Sequence, residues 1–202
     1  KVTAQYSFDG DTGADNKDYD AAEDGQHGTE GKTTVDRYAS LAVTGGYGNL
    51  QFVGAYEYFN HASTSVVKDD GHLFHLGGNY DFGVAKVFAK ATYFDNQASA
   101  TDSFSLLSDS KTVGVEGWGV ELSTAVPAFG GTVLGTVGYR DAKNVDNSDA
   151  KFKRWNAALG YAYAFSKRTS VYAAAGYAQE KANNLDRKAN AAQAGFGLVH
   201  KF

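Results

Sequence analysis

The sequence predicts an all-β fold, a transmembrane antiparallel β-barrel of the outer-membrane type with about ten strands. Three observations support this prediction. The chain contains Gly 24, Tyr 13 and Phe 13 but only one proline, a composition typical of strands, turns and aromatic belts. Apolar and polar residues alternate along its segments, so that each strand has one apolar and one polar face. The connections between segments are alternately short and long, as are the periplasmic turns and extracellular loops of such barrels.

The alternation divides the chain into about ten segments of roughly 8 to 13 residues, close to the length with which a tilted strand crosses a bilayer. The segments begin near Lys1, Arg37, Asn49, His72, Val84, Val113, Thr132, Lys153, Arg168 and Ala191. Short connections are predicted at residues 45–48, 81–83, 127–131 and 166–168, and long polar ones at residues 9–35, 61–71, 96–112, 142–151 and 181–190. Residues 1–202 are therefore predicted to form a single transmembrane β-barrel domain.

The two faces are clearest in the segment at residues 154–165. Trp155, Leu159 and Tyr163 share one parity, whereas Arg154 and Asn156 lie on the other. A soluble β-sandwich would also bury one apolar row, so alternation alone does not distinguish it from a membrane barrel. The position of the aromatic residues along each segment does. They cluster towards segment ends, where an amphipathic ring sits at the headgroup boundary: Tyr56, Tyr58, Tyr80, Phe82, Tyr93, Tyr139, Tyr161, Tyr163 and Phe165. The opposite faces carry small and polar residues, which favours a water-filled lumen.

Charged residues on the polar faces are the candidate pore-lining residues. A charge facing lipid would cost about 2 to 4 kcal/mol at the midplane, so the lumen is the favoured location. Parity places there the bases Lys86, Lys90, Arg140, Arg154 and Lys201 and the acids Glu57, Asp81 and Glu121. Because bases outnumber acids in this set, we predict a weak preference for anions. A one-residue bulge would invert the assignment of a strand.

Composition excludes several classes of function. No run of about 18 apolar residues occurs, so a transmembrane helix is excluded. The chain contains neither Cys nor Met, which rules out disulfides, thiolate nucleophiles and cysteine metal sites. The net charge of -4 argues against nucleic acid as a partner, since nucleic-acid binding relies on clustered Lys and Arg.

The first long connection is acidic, and we expect no cofactor other than loosely bound calcium there. Asp9, Asp11 and Asp15 are weak calcium candidates because hard cations prefer such oxygen ligands. The stretch lacks the rest of the EF-hand spacing. The alternative is an acidic outer loop that meets divalent ions shared with lipopolysaccharide.

The sequence carries no recognisable catalytic motif, so we predict no enzymatic activity. His27, His61, His72 and His75 are the candidates for a general base, and parity places His200 on the lipid side. Neither a Gly-x-Ser-x-Gly nucleophile elbow nor a glycine-rich phosphate loop occurs. Two alternatives stay open for a ten-stranded outer-membrane barrel: a surface protease, and a plugged adhesin or anchor.

Two stretches carry a family resemblance. The chain ends with Gly195-Phe196-Gly197-Leu198-Val199-His200-Lys201-Phe202, and a predicted hairpin reads Tyr161-Ala162-Tyr163-Ala164-Phe165-Ser166-Lys167-Arg168-Thr169-Ser170-Val171-Tyr172. Together with the strand plan, they resemble the general diffusion porins of Gram-negative bacteria, especially the beta-proteobacterial branch. In that family a Leu/Val-x-His-Lys-Phe ending and a Tyr-x-Leu/Phe-Ser-Lys-Arg-Thr turn are habitual.

The resemblance implies a homotrimer in the cell outer membrane, in contact with its lipid and lipopolysaccharide, that lets small hydrophilic solutes and ions diffuse passively. It also implies that the terminal Phe202 is read by the barrel-assembly machinery. Members of this family have about sixteen strands, and a long third loop facing wall arginines narrows their pore. The chain would match the last ten strands or so, and we expect N-terminal strands to be missing. A complete barrel of about ten strands is the alternative.

Overall fold

A computed structural model describes residues 1–7, 37–60, 69–97, 114–183 and 187–202. Its strands are β1 (Val2–Ser7), β2 (Tyr38–Tyr47), β3 (Leu50–Phe59), β4 (Gly71–Asp81), β5 (Lys86–Gln97), β6 (Val115–Ala128), β7 (Gly131–Asn144), β8 (Lys151–Ala164), β9 (Thr169–Ala182) and β10 (Arg187–His200). The predicted all-β, antiparallel fold is confirmed. Within these ranges, no helix is long and apolar enough to span a membrane.

The ten strands form one sheet in which each strand pairs with the next along the chain. All nine ladders are antiparallel, from β1–β2 at one edge to β9–β10 at the other. No ladder joins β1 to β10 in the described part of the chain. One irregularity interrupts the ladders, a register shift between Phe94 and Gln97 of β5, after which Gln97 pairs with Val115 of β6.

Strand starts follow the alternation closely, but one predicted loop is wrong. The first nine strands begin within two residues of their predicted starts, whereas β10 begins at Arg187 rather than near Ala191. The predicted long connection at residues 181–190 is much shorter, because β9 continues to Ala182 and β10 already begins at Arg187. Polar residues such as Lys181 and Asn190 belong to strands that extend past the apolar band, where an outward side chain meets water.

The turn between β6 and β7 is shorter than predicted. Pro127 pairs with Thr132 inside the ladder, which leaves only Phe129 and Gly130 as the loop. Both loop residues have positive φ, 53° and 78°, the geometry of a two-residue type I′ hairpin turn. The Tyr161 hydroxyl donates a hydrogen bond to the Phe129 carbonyl oxygen at 2.8 Å and so helps to hold this turn.

The ladders assign every strand residue to one of two faces, since directly paired residues lie on the same side of an antiparallel sheet. The face that contains Lys90 is called the polar face and the face that contains Leu159 the apolar face. On the apolar face large side chains stand exposed across the whole sheet, with Leu76 at 66%, Leu159 at 64% and Phe196 at 90% exposure. An exposed apolar area of this extent requires an apolar environment.

Two aromatic belts bound the apolar face. Tyr56, Phe74, Tyr93 and Trp118 are directly paired across β3 to β6, and the row continues through Tyr139 and Trp155. Neighbouring rings pack, as between Tyr56 and Phe74 with centroids 4.7 Å apart. The second belt, at the end with the short turns, comprises Tyr47, Tyr80, Phe82, Tyr161, Tyr163, Phe165 and Phe196.

The spacing of the belts matches a membrane. From Trp155 to Phe165 an extended chain covers about 33 Å, or about 25 Å along the membrane normal at a tilt of about 40°. This is the height of the apolar band of outer-membrane barrels.

Candidate functional site

The polar face is the candidate site, and the ladders bring the predicted charged residues together on it. Asp81 lies opposite Lys86, Lys90 opposite Glu121, and Arg140 opposite Arg154. Glu57 lies on the same face, two residues along β3 from Ala55, which is the ladder partner of His75. Lys201 follows β10 and continues the parity of Val199 on the polar face. That these side chains line a pore remains a prediction.

A concavity of about 900 Å³ lies in the polar face over β2 to β6. Most of its lining residues belong to this face and are small or polar, among them Thr44, Gly46, Gln51, His75, Gly77, Asn79, Lys90, Glu121 and Ser123. Glycines and short side chains leave room that larger residues would fill, and Lys90 and Glu121 bring opposite charges to its wall. Such a surface can hold water and ions.

Lys90 and Glu121 are ladder partners, but the salt bridges of the described region do not include them. The Ser123 hydroxyl donates a hydrogen bond to Glu121 Oε1 at 3.3 Å. The Lys86 ammonium lies 5.6 Å from the centre of the Phe88 ring. These charges are thus only loosely held, as expected for solvated wall groups.

A second group links three strands on the polar face through His75. Its Nε2 lies 3.2 Å from Glu57 Oε1, and its Nδ1 lies 3.1 Å from the Thr92 hydroxyl oxygen. The Tyr38 hydroxyl donates to the other Glu57 oxygen at 2.8 Å. Glu57 is therefore a restrained wall charge, in contrast to Glu121.

A further group of charged residues on the polar face contains an acid that the sequence prediction missed. Glu180 is fully buried, and its Oε2 lies 2.7 Å from an Arg140 guanidinium nitrogen. In the ladders Arg140, Arg154 and Glu180 form one row across β7, β8 and β9. Glu180 shares the parity of Ala178 and Ala182, so strand alternation alone could have assigned it to the polar face. Its burial depends on neighbouring strands and has no signal in the sequence of β9.

Apolar side chains lie next to this row at the end with the long connections. Val115, Ala142, Phe152 and Ala182 are buried in one cluster on the polar face. The low polarity of such surroundings strengthens the attraction between Glu180 and Arg140. The arginine charge is thus largely compensated inside the wall.

The remaining candidates are not assembled into a site. His72 lies on the apolar face, where its Nδ1 is 2.8 Å from the Tyr56 hydroxyl oxygen, and His200 also lies on that face. His27, His61 and the weak calcium candidates Asp9, Asp11 and Asp15 lie outside the described residues. Among the residues that are described, no group of three or more His, Cys, Asp or Glu is arranged to hold a metal ion. Calcium binding stays a prediction.

Solved structures with a similar fold are outer-membrane proteins. OmpT of Vibrio cholerae in a form that lacks loop L8 has a TM-score of 0.61 at 13% identity, and the match covers 100% of this chain and 64% of that one. The in-vitro folded OmpT gives 0.60 at 13% identity, with 86% and 52% covered. An anion-selective porin from Comamonas acidovorans gives 0.54 at 21% identity, with 84% and 50% covered.

The chain thus spans between half and two thirds of the length of these structures. A comparison with curated protein sequences gave no significant match. The model of the Gram-negative porin family matches residues 1–183, which is most of the chain. The chain therefore belongs to the Gram-negative porin family and is a β-sheet protein of the cell outer membrane.

Proposed function

We propose that this chain forms the wall of a water-filled channel through which small hydrophilic solutes and ions diffuse passively. The observation that carries the proposal is the division of one sheet into an apolar face between two aromatic belts and a polar face with a concavity of about 900 Å³. The apolar face suits lipid, and the polar face suits water. Diffusion down a gradient requires no catalytic group.

We propose a weak preference for anions, with Lys86, Lys90, Arg154 and Lys201 as the bases that favour it. Arg140 contributes less than its formal charge because Glu180 compensates it at 2.7 Å. Glu57, Asp81 and Glu121 oppose the preference. Basic and acidic residues of the polar face are therefore nearly equal in effect. Reversing a single charge in the concavity is expected to change the preference from anions to cations.

The strand edges support a larger closed barrel. An edge strand in hydrocarbon leaves backbone N–H and C=O groups without partners, and each such group costs several kcal/mol. Described residues of β1 and β10 do not pair with each other. We therefore propose that further strands complete the barrel, and measurement of amide hydrogen exchange in β1 and β10 of the membrane-inserted protein tests this. Fast exchange at both edges would contradict it.

The family suggests a homotrimer that is assembled by the outer-membrane machinery. The exposed Phe202 is the proposed assembly signal, and its ring lies 5.0 Å from that of His200. Deletion of Phe202 should lower the amount of folded trimer in cell envelopes, as judged by its migration in unheated gels. Equal amounts of folded protein with and without Phe202 would refute the assignment.

The test of the channel is single-channel conductance of the detergent-purified protein in a planar bilayer under a salt gradient. Discrete steps are expected, with a reversal potential that shows weak anion preference. Lys90→Glu should move the reversal potential towards cation preference, whereas the matched control Lys167→Glu in the β8–β9 turn should move it far less. Folded protein that inserts without conductance steps would refute the proposal.

One contact favours a second candidate, the surface protease. His75 is held between Glu57 and the Thr92 hydroxyl, and this connection of acid, base and hydroxyl also occurs in hydrolases. A protease should cleave a mixed peptide library in a manner that His75→Gln abolishes. We expect no cleavage that depends on His75.

A further inference from the structure

Phe88 of β5 is a large aromatic side chain that stands exposed on the polar face, in the concavity of about 900 Å³. Its exposure is 37%, and its ladder partners are Asn79 on β4 and Ser123 on β6. A single exposed ring is ordinary on a protein surface. What this ring can bind therefore depends on the polar groups at its two sides.

On one side of Phe88 lies an amide pair with an unsatisfied acceptor. Asn79 Nδ2 donates a hydrogen bond to Gln51 Oε1 at 3.3 Å, but Asn79 Oδ1 is buried without a partner in the described part of the chain. Such an atom is costly, and a rotation of the amide would turn it towards a donor in the concavity. Gln51 is exposed, so its amide nitrogen can donate to the same molecule. A hydroxyl group suits this pair because it both donates and accepts.

On the other side of Phe88, β6 supplies a second set of donors and acceptors. The Ser123 hydroxyl oxygen lies 3.3 Å from Glu121 Oε1, and Glu121 is the ladder partner of Lys90. Lys90 and Glu121 are the lysine and the carboxylate of the lining, and their charges cancel. The lining of the concavity therefore favours an uncharged ligand that forms several hydrogen bonds.

The ladders place these groups in one line with the ring at its centre. Direct pairs join into one row across β3 to β6 the residues Gln51, Asn79, Phe88 and Ser123. Neighbouring strands are about 5 Å apart, so the groups on the two sides of the ring are separated by about 10 Å. Gly77, the ladder partner of Lys90, has no side chain and leaves space beside the ring. The row thus has room for one flat molecule over Phe88.

This pattern identifies the ligand by its chemistry. A simple ion would make no use of the ring, and an apolar solute would leave the amides and Glu121 without partners. The six-membered ring of a neutral sugar meets both requirements. Its C–H groups pack on an aromatic face, and the hydroxyls around its edge donate and accept hydrogen bonds. An aromatic surface with a few placed polar groups is typical of small-molecule sites.

We propose that this row is a weak binding site for one neutral hexose, stacked on Phe88. Hydroxyls on one edge of the sugar contact Gln51 and Asn79, and those on the other edge contact Ser123 and Glu121. The proposal rests on the channel proposed above and names a class of solute that its wall holds during passage. Because one wall supplies all these contacts, the affinity is in the millimolar range, which lets the solute leave again.

The test is the block of single-channel current by D-glucose in a planar bilayer that contains the full-length, detergent-purified protein. D-Mannitol at equal concentration is the reference, because it carries hydroxyls without a ring and raises the viscosity to a similar extent. We expect glucose to lower the current more than mannitol does. Phe88→Leu should raise the half-blocking glucose concentration about fivefold because stacking is lost. Asn79→Leu should raise it about fivefold through the lost hydrogen bond.

Two variants serve as controls. Phe88→Tyr keeps the aromatic ring and should retain the block. Tyr172→Leu removes another exposed ring of the polar face, which lies on β9 outside the concavity, and should leave the half-blocking concentration unchanged.

Saturation-transfer NMR keeps this result separate from the test of the channel. It measures the transfer of magnetisation from protein protons to the C–H protons of glucose and requires no conduction. Folded protein without conductance steps in sugar-free salt would refute the channel, and the NMR signals of the unmodified protein and of Phe88→Leu would still decide the site. Equal block or equal transfer for glucose and mannitol would overturn the site. Equal shifts in Phe88→Leu and Tyr172→Leu would overturn it as well.

Discussion

Glu180 offers the sharpest test of how the wall charges are held. It is fully buried, and its carboxylate lies 2.7 Å from the Arg140 guanidinium. Glu180→Gln keeps the shape of the side chain but removes the charge that compensates Arg140. The Arg140 Nε atom is itself buried without a hydrogen-bond partner, so the guanidinium has few alternatives. Arg154, the ladder partner of both residues, then faces an Arg140 that has lost its carboxylate partner.

The expected loss of stability follows from burial. Removing one partner of a buried ion pair costs about 3 to 5 kcal/mol, because the other charge stays desolvated. The Arg140 side chain is 25% exposed, so partial hydration reduces the cost to about 2 to 3 kcal/mol. The unfolding free energy can be measured by guanidinium titration in lipid vesicles, with tryptophan fluorescence as the signal.

The same substitution is expected to strengthen anion preference. Removing the carboxylate adds one net positive charge to the wall, and at about 7 Å in water this changes the energy of a passing ion by roughly 0.6 kcal/mol. The ratio of anion to cation permeability should therefore rise about twofold or more, as measured by the reversal potential in a salt gradient.

Glu121→Gln is the matched control. It makes the same chemical change on the same face, but Glu121 is exposed and, among the residues that the structure describes, accepts a hydrogen bond from Ser123 alone, at 3.3 Å. Its effect on stability should stay within about 0.5 kcal/mol. If Glu180→Gln and Glu121→Gln have the same unfolding free energy, the ion pair does not hold the wall as argued.

Two further predictions test the faces and the packing. Leu159→Arg should cost about 2 to 4 kcal/mol of stability in a bilayer, because Leu159 lies on the apolar face between the belts. Ala158→Arg, on the polar face, should cost far less. Equal losses of unfolding free energy for the two variants in a membrane would contradict the face assignment. A Cβ at Gly197 would meet the Tyr172 ring at 2.6 Å, but one at Gly195, two residues earlier on the same face, meets nothing within 4 Å. Gly197→Ala should therefore lower the stability of the sheet by about 1 kcal/mol, and Gly195→Ala should not. The midpoints of guanidinium unfolding measure both. A lower midpoint for Gly195→Ala than for Gly197→Ala would refute the packing argument.

The sequence predicted the strands and their faces because both depend on a period of two that survives along each segment. Trp155, Leu159 and Tyr163 lie on the apolar face as predicted, and nine strand starts are within two residues. The prediction failed at residues 181–190, where polarity was interpreted as a loop. Beyond the belt a strand can be polar on both faces, so composition no longer distinguishes it from a connection.

Contacts between strands could not be predicted, since they depend on register. Nothing in the segments themselves shows that His75 meets Glu57, or that Glu180 lies in one row with Arg140 and Arg154. These pairs are separated by turns and connections whose lengths set the register. The proposed anion preference is sensitive to such contacts, because Glu180 compensates Arg140, a charge that the count by parity treats as free.

A single row of β8 explains how the sheet keeps its height in the membrane. Along the apolar parity, Leu159 is followed by Ala157, Trp155 and Lys153, so apolar, aromatic and charged positions come in the order in which the strand leaves the hydrocarbon. A shift inward by two residues would move Lys153 and the aligned Lys181 and Lys188 about 5 Å along the membrane normal, because the strands are tilted by about 40°. It would bring these three ammonium groups towards hydrocarbon together. A shift outward would expose the leucine level to water. The cost rises in both directions, and neighbouring strands are hydrogen-bonded to each other. The aromatic belt and the aligned lysines therefore fix one position for the whole sheet, and the polar face is held at a constant depth.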